Sequence, residues 1–543
     1  MKRKIFINIS STVNCRQELL TVISLFYIIS SVAGNSAGRK NKNMKKMKEV
    51  KKARIGVYTM GLKAYWSQFA GLHDRMIEYG NFIAKKVAAM DVEVFFYGLV
   101  DCEEEGRKCG EYFNANNVDL IFAHAGTYVT SASVLPIHQI CKAPTVVLNL
   151  QPAAQINYLK TSTGEWLAHC GACPVPEVAN AFNRAGIKYR QVNGLLGLDY
   201  TPAISVADEN TAARPEAIKA WEKIGEWVDA AKVKAALQYC RFGFLGNNYN
   251  GMLDLYSDFT MFQAQTGAHV EILEMCDLNR MLETVTEEEV VEKKKEIEEF
   301  FVISDDVSAD PLAKKPTPEQ LEWSAKVAVA QEKLVKEYNL DGLAYYYHGA
   351  PGGDYEALQS GFIVGHSLLT AKGIPCAGEG DLKTCVAMKI CDILGKGGSF
   401  CEIVTTDYVE GTMLLGHDGP FHLAIANGKP LLRGLGVYHG KQGTGVSVEA
   451  KVRAGEITTL CCTQTVDGKM KFIITEAEST NAQIMTIGNT QTHVKFKKDP
   501  DSYMDEWFAE FPTHHFAMSV GHNASLFEKV ADVLDIPYVT LDK

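Results

Sequence analysis

From residue 54 onward, short apolar runs alternate with stretches whose apolar positions recur at helical spacing. Residues 55–59 predict a strand and 69–90 a helix, and 92–99, 118–124 and 145–150 predict further strands with helical segments between them. Strands alternating with helices imply a parallel, doubly wound sheet. Ligands of such sheets sit at the carboxyl ends of the strands, which puts 59–61, 124–126 and 149–151 in binding loops. A second α/β unit is expected from near Asp229, with strands at 237–245, 270–273 and 342–348. Between them lie a charged helix at 287–300, read as a solvated face, and a polar linker at 304–318. Past Gly398 the texture changes. Strand-like runs at 421–425, 446–464, 470–476 and 493–496 are separated by turn residues such as Asp467-Gly468. An antiparallel barrel-like or sandwich module fits them, closed by a helix at 526–534 and a strand at 538–541. The expected division is 53–228, 229–397 and 398–543, and no internal repeat is visible.

Residues 1–52 do not belong to this pattern. Lys2, Arg3 and Lys4 open the chain, residues 19–34 are apolar, and 39–52 are strongly basic. The apolar run falls short of the ~20 residues that span a bilayer. It reads as a signal-like segment or as an upstream stretch outside the working protein, with Met44 or Met47 as the start. A cytoplasmic location is expected, with export the outcome if residues 1–36 act as a signal peptide.

A chain of 543 residues exceeds one hydrophobic core. Its net charge of −10 shows no basic excess, so neither nucleic acid nor membrane is an expected partner. The 14 cysteines follow no repeated spacing and read as reduced, buried side chains. Cys170-Gly-Ala-Cys173 has the spacing of a redox pair, but the segment before it does not read as a strand and Pro174 follows directly.

Linear fingerprints are missing. Met60-Gly61-Leu62 supplies one glycine where a dinucleotide turn needs G-x-G-x-x-G, and Gly440-Lys441 is followed by Gln442, where a phosphate loop needs Ser or Thr. There is no H-E-x-x-H helix. What remains is a set of carboxylates and histidines in 377–384, 399–402, 414–420 and 519–523. Glycines flanking Glu379 leave it accessible. Two carboxylates and two histidines without thiolate suit Mn²⁺, Mg²⁺ or Co²⁺. Taken singly, a histidine is more often a core or surface residue, and Glu379 suits the first turn of a helix. The residues alone leave both readings open.

These segments resemble those of the L-arabinose isomerase family and the wider L-fucose isomerase-like group. Gly378-Glu379-Gly380-Asp381-Leu382-Lys383-Thr384 carries the likeness most strongly, with Ser399-Phe400-Cys401-Glu402 and the Gly-His element ending at His417 following in order. Tyr239-Cys240-Arg241-Phe242-Gly243 is similar to the start of that family's central domain. The resemblance implies two Rossmann-like doubly wound α/β domains followed by a C-terminal antiparallel β-barrel-like domain. It implies a metal-dependent aldose–ketose isomerase working through an enediolate on a pentose or 6-deoxyhexose. Mn²⁺ is the first expectation, with Mg²⁺ or Co²⁺ as alternatives. Glu379 and Glu402 would be metal ligands and the acid/base pair, and His417 and His522 would complete the shell, with His422 as runner-up. Homo-trimers or homo-hexamers are implied, one subunit's N-terminal domain covering its neighbour's metal site.

The chain departs from the family pattern at 403–408, at Asn149, where a substrate-contacting histidine is expected, and at Asn523. Asp407, Asn149, Gln151 and His124 are accordingly the expected sugar contacts, and the identity of the sugar stays open. A catalytically silent sugar-binding protein and an epimerase on the same scaffold are the alternatives.

Overall fold

The computed structural model describes residues 51–201, 210–305, 310–349, 352–435, 437–438, 441–442 and 444–543. The expected extension at 1–52 therefore lies outside the described residues, apart from its last two. Five parallel strands form the first sheet: β1 (Arg54–Met60), β2 (Glu93–Val100), β3 (Leu120–His124), β4 (Thr145–Gln151) and β5 (Tyr189–Leu195), in the order β2-β1-β3-β4-β5. The β1 and β3 strands are buried on both faces, which is why they read as unbroken apolar runs rather than as alternation. By contrast β5, Tyr-Arg-Gln-Val-Asn-Gly-Leu, is a partly exposed edge strand whose polar composition hides it from a search for apolar runs.

The helix Pro215–Leu237 crosses the boundary expected at 228 and packs Ile224 and Val228 into the first core. It also carries Leu237, so the next strand begins four residues later than the sequence suggests. That strand is β6 (Arg241–Gly246), and it is followed by β7 (His269–Leu273). Two short strands, β8 (Val302–Ile303) and β9 (Ala313–Lys314), precede β10 (Gly342–Tyr346) and β11 (Cys376–Ala377). The second sheet is parallel, in the order β11-β10-β6-β7. One apolar core joins side chains of all three main sheets, including Val57, Phe242, Ala344, Leu460 and Phe472.

The C-terminal strands are β12 (Ser399–Asp407), β13 (Thr412–His417), β14 (Leu431–Leu435), β15 (Val437–Tyr438), β16 (Lys441–Gln442), β17 (Val446–Glu449), β18 (Gly455–Gln464), β19 (Met470–Ser479), β20 (Thr490–Lys495), β21 (His515–Val520) and β22 (Tyr538–Leu541). Seven make the third sheet, β18-β21-β12-β13-β20-β19-β22, and β18 also pairs with β19 along its length. The sheet curls back on itself, but β19 meets β20 through only two residue pairs. It is therefore not closed into the expected barrel, and its edge strand β22 runs parallel to β19. Separately, β14 pairs with β17, β8 and β9. Two apolar runs fold differently from expectation. Phe421 and Ile425 are buried at one-turn spacing, and the segment forms a 3₁₀ turn (Leu423–Ile425) instead of a strand. The run at 446–464 is broken before Gly455 into two strands.

Three histidines are locked in these cores. Burial pushes the imidazoles of His124, His138 and His366 down to about 3. In an unfolded chain they titrate near about 6.5. Below that pH the unfolded state takes up protons that the folded state refuses, so their contribution is complete above ~6.5 and is lost as pH falls toward 3. His366 lies against Tyr345 and Phe362, with ring centroids 4.0 and 5.0 Å away. His366→Phe keeps an aromatic ring there, so its melting temperature is expected to fall less between pH 7 and 5 than that of the parent. Equal slopes in thermal melts would contradict this.

Candidate metal centre

The second sheet ends, at β11, in the turn Gly378–Gly380, before the helix Leu382–Ile393 begins. Glu379 holds φ 59° and ψ 12°, a left-handed conformation uncommon for a residue with a Cβ. Gly380 follows at φ 74°, and a Cβ on it would lie 2.5 Å from the Asn247 carbonyl oxygen. The turn thus presses against the loop after β6 and directs Glu379 toward the third sheet.

There, neighbouring strands supply the partners. Glu402 on β12 pairs with His515 on β21 and with Gly416 on β13, next to His417. The ring of Phe400 packs against both imidazoles, its centroid 4.7 Å from that of His417 and 4.3 Å from that of His515, and the two imidazoles are themselves 5.1 Å apart. Around Glu379, His417 Nε2 lies at 3.9 Å, His514 Nε2 at 3.7 Å and His515 Nε2 at 3.6 Å. Ligand atoms of Glu379, His417 and His515 fall within 4.8 Å of one another, and so do those of Glu402, His514 and His515.

Each imidazole has its Nδ1 on a second carboxylate. His417 Nδ1 is 2.8 Å from Asp418, His514 Nδ1 is 2.6 Å from Asp254, and His515 Nδ1 is 3.1 Å from the wholly buried Asp381. The contacts of His514 and His515 are hydrogen bonds; such outer partners fix ring orientation and leave Nε2 facing inward. Burial pushes the Glu379 carboxyl up, but the nearby imidazoles of His514, His515 and His417 outweigh it and hold the group below its ordinary value. His514 is raised to about 10, because Asp254 and Glu379 overcome the effect of burial. Burial lowers His515, with Asp381 opposing.

A cation fits this arrangement. Glu379 Oε2 and His515 Nε2 are buried without a hydrogen-bond partner among the described residues, although they face each other. Ligands ~2.2 Å from a common ion lie roughly 3–4.4 Å apart, the range seen here. Carboxylate and imidazole donors with no thiolate suit a divalent ion such as Mn²⁺, Mg²⁺ or Co²⁺.

The structure brings together Glu379, Glu402 and His417 of the residues singled out in the sequence. His522 lies elsewhere, beside Glu456 and Glu478 on exposed ends of β18 and β19, because β21 runs on past the centre before reaching it. The adjacent pair His514-His515 stands in its place, and the trace it left in the sequence was two histidines opening an apolar run. His422 is also apart, 3.7 Å from Asp392. Asp407 is five strand residues beyond Glu402, about 16 Å in extended chain, and its carboxylate accepts from the backbone of Val409 and Glu410 in a turn. It is a turn residue, not a contact of this centre. His124 is a core residue, 1% exposed, near Thr59. Asn149 donates to Asn193, and Gln151 ends β4, so both stand at the carboxyl edge of the first sheet.

Gly416 has a role in placing His417. A Cβ there would lie 1.9 Å from the Thr490 carbonyl oxygen, so Gly416→Ala is expected to push β13 off β20. A loss of about 1–3 kcal/mol is expected for such overpacking, with weaker Mn²⁺ binding as His417 shifts. Thermal melts and a Mn²⁺ titration would test both.

Residues 246–397 match the family profile described as the L-arabinose isomerase central domain. The L-arabinose isomerase of Bacillus subtilis is 25% identical over 242 residues, 42% of this chain and 43% of that protein. That of Saccharophagus degradans is 26% identical over 222 residues, 39% of this chain and 42% of its own length. That of Halalkalibacterium halodurans is 25% identical over 206 residues, 36% and 38%. The matched stretches span less than half the length of these curated relatives. Asp254, Glu379, Asp381 and Lys383 fall inside the matched central domain, while Glu402, His417 and His515 follow it. This central unit is what the chain shares with the L-arabinose isomerase family, to which it is similar over part of its length.

Proposed function

We propose that this protein is a metal-dependent aldose–ketose isomerase acting on a pentose or 6-deoxyhexose, with L-arabinose the first substrate to test. The observation that carries the reading is the pairing of Glu379 and Glu402 with three imidazoles, each with a further carboxylate within 3.1 Å of its Nδ1. Glu379, Glu402, His417 and His515 would hold the ion. Bound there, a divalent cation supplies carbonyl polarisation and charge stabilisation for the enediolate. The chain's own share is proton movement: one glutamate removes the C2 proton of the open-chain aldose and one of the pair returns a proton to C1, while the O2 hydroxyl proton passes to O1. Positioned groups of this kind contribute about 10²–10⁴-fold. Burial of the cluster keeps water from competing for that proton.

The same reading includes a homo-trimer or homo-hexamer in which the carboxyl edge of the first sheet, with Asn149 and Gln151, covers a neighbour's centre. Exposed apolar side chains beside that edge support it: Tyr158 is 89% and Leu159 96% exposed, with Trp166 nearby. A cytoplasmic location goes with it, supported by the free thiols at every described cysteine. No helix among the described residues is long and apolar enough to cross a membrane.

The test is ketose formation by the full-length chain on a panel of pentoses and 6-deoxyhexoses, with and without Mn²⁺. Metal-dependent turnover of one sugar supports the reading and names the substrate. Bound Mn²⁺ without turnover of any sugar would reject it.

A further inference from the structure

The loop after β6, residues 247–257, is tied down along its length. Tyr249 N donates to the Glu379 carbonyl at 2.9 Å, and Asn248 Nδ2 donates to the Gly380 carbonyl at 2.8 Å. At its far end a lysine takes over. Lys383, 1% exposed, donates through Nζ to the Leu255 carbonyl at 3.1 Å and to Ser257 Oγ at 3.2 Å, with the Tyr256 carbonyl at 3.4 Å. Burying an ammonium is costly unless it is hydrogen-bonded, so this contact fixes the loop strongly. Between the tethers sits Asp254, whose carboxylate accepts from both the backbone N (3.0 Å) and Nδ1 (2.6 Å) of His514.

We propose that Asp254 and Lys383 are positioning residues: Lys383 pins the 253–257 turn, and the turn delivers Asp254 to His514 so that Nε2 of that ring faces Glu379. Neither touches Glu379. The motif 378–384 therefore has three parts in one short stretch: Glu379 faces the centre, Asp381 orients His515, and Lys383 orients His514 through the turn. The proposal rests on the metal-centre reading above, but its first consequence, the pinned turn, is independent of turnover.

Two measurements on the full-length chain separate these points. Hydrogen exchange read by mass spectrometry over 252–258 should quicken in Lys383→Met and be largely restored in Lys383→Arg. Mn²⁺ affinity, read by electron paramagnetic resonance of the free ion, should fall by about 10–100-fold in Lys383→Met and in Asp254→Asn, the range for groups outside a metal's ligand shell that orient it. Asp254→Asn keeps the shape of the turn and should retain the parent melting temperature, which a merely structural role would not combine with lost affinity. Unchanged exchange in Lys383→Met, or parental Mn²⁺ affinity in Asp254→Asn, would overturn the proposal. If the parent chain itself bound no Mn²⁺, the metal-centre reading would fail and the orienting role with it, even where exchange quickened.

Discussion

Glu379→Gln is expected to reduce kcat for ketose formation by at least ~10³-fold at saturating Mn²⁺, with Glu402→Gln close behind. The amide fills the same space and still offers an oxygen, so the loss isolates charge and proton exchange from shape. Glu379 has more to lose because it is the hub of the cluster, within 4 Å of His417, His514 and His515. Its carboxyl is held below its ordinary value by those imidazoles against the effect of burial, which keeps it anionic, the form that binds a cation and accepts a proton. Acid/base positioning accounts for about 10²–10⁴-fold, and a weakened metal site adds to it. Mn²⁺ titration of the same variant should show reduced affinity as well. A kcat within tenfold of the parent, with Mn²⁺ bound, would remove Glu379 from the chemistry.

The largest effect on stability is expected at a pair far from this chemistry. Arg75 and Glu165 are 6% and 2% exposed and meet through two hydrogen bonds of 3.0 and 3.3 Å. Arg75 also donates to Tyr79, and His169 stands 3.6 Å from Glu165. Glu165→Gln strands a guanidinium in the interior, and breaking a buried pair on one side costs about 3–5 kcal/mol. Replacing both partners with apolar residues (Arg75→Met with Glu165→Leu) removes the stranded charge and should recover most of that loss. Urea unfolding of the single and double variants decides it. If the double variant were as unstable as the single one, packing rather than charge would explain the cost.

How far the sequence could be read depended on what kind of residue carried each feature. The buried parallel strands β1, β3 and β4 announced themselves because both faces are apolar. Edge strand β5 did not, since solvent on one side lets Arg190, Gln191 and Asn193 stand in it. The helix Glu287–Phe300 was legible from its charge run. Phe421 and Ile425 misled because two apolar residues one turn apart fit a strand or a turn equally well. At the centre, Glu379 was legible because flanking glycines leave a carboxylate accessible, and Glu402 because it ends an apolar stretch, although the strand itself runs on to Asp407. His515 was missed in favour of His522, since only the pairing of β12 with β21 tells which histidine meets Glu402. Asp254 could not be found from spacing at all, lying about 260 positions from the ring it orients.

That separation has a consequence for recombination among relatives. The ligand turn, the pinned loop and Lys383 lie together within 246–397, whereas Glu402 and the histidines arrive on later strands. A chimera that exchanged the central unit as one cassette would carry Asp254 and Lys383 along with Glu379 and keep their mutual fit. Its seam would run through the proposed metal centre, where a donor relative contributes one side and this chain the other. Such hybrids should fold well and fail first as metal binders, so that selecting them for cation affinity, not for solubility, would sort compatible parents from incompatible ones.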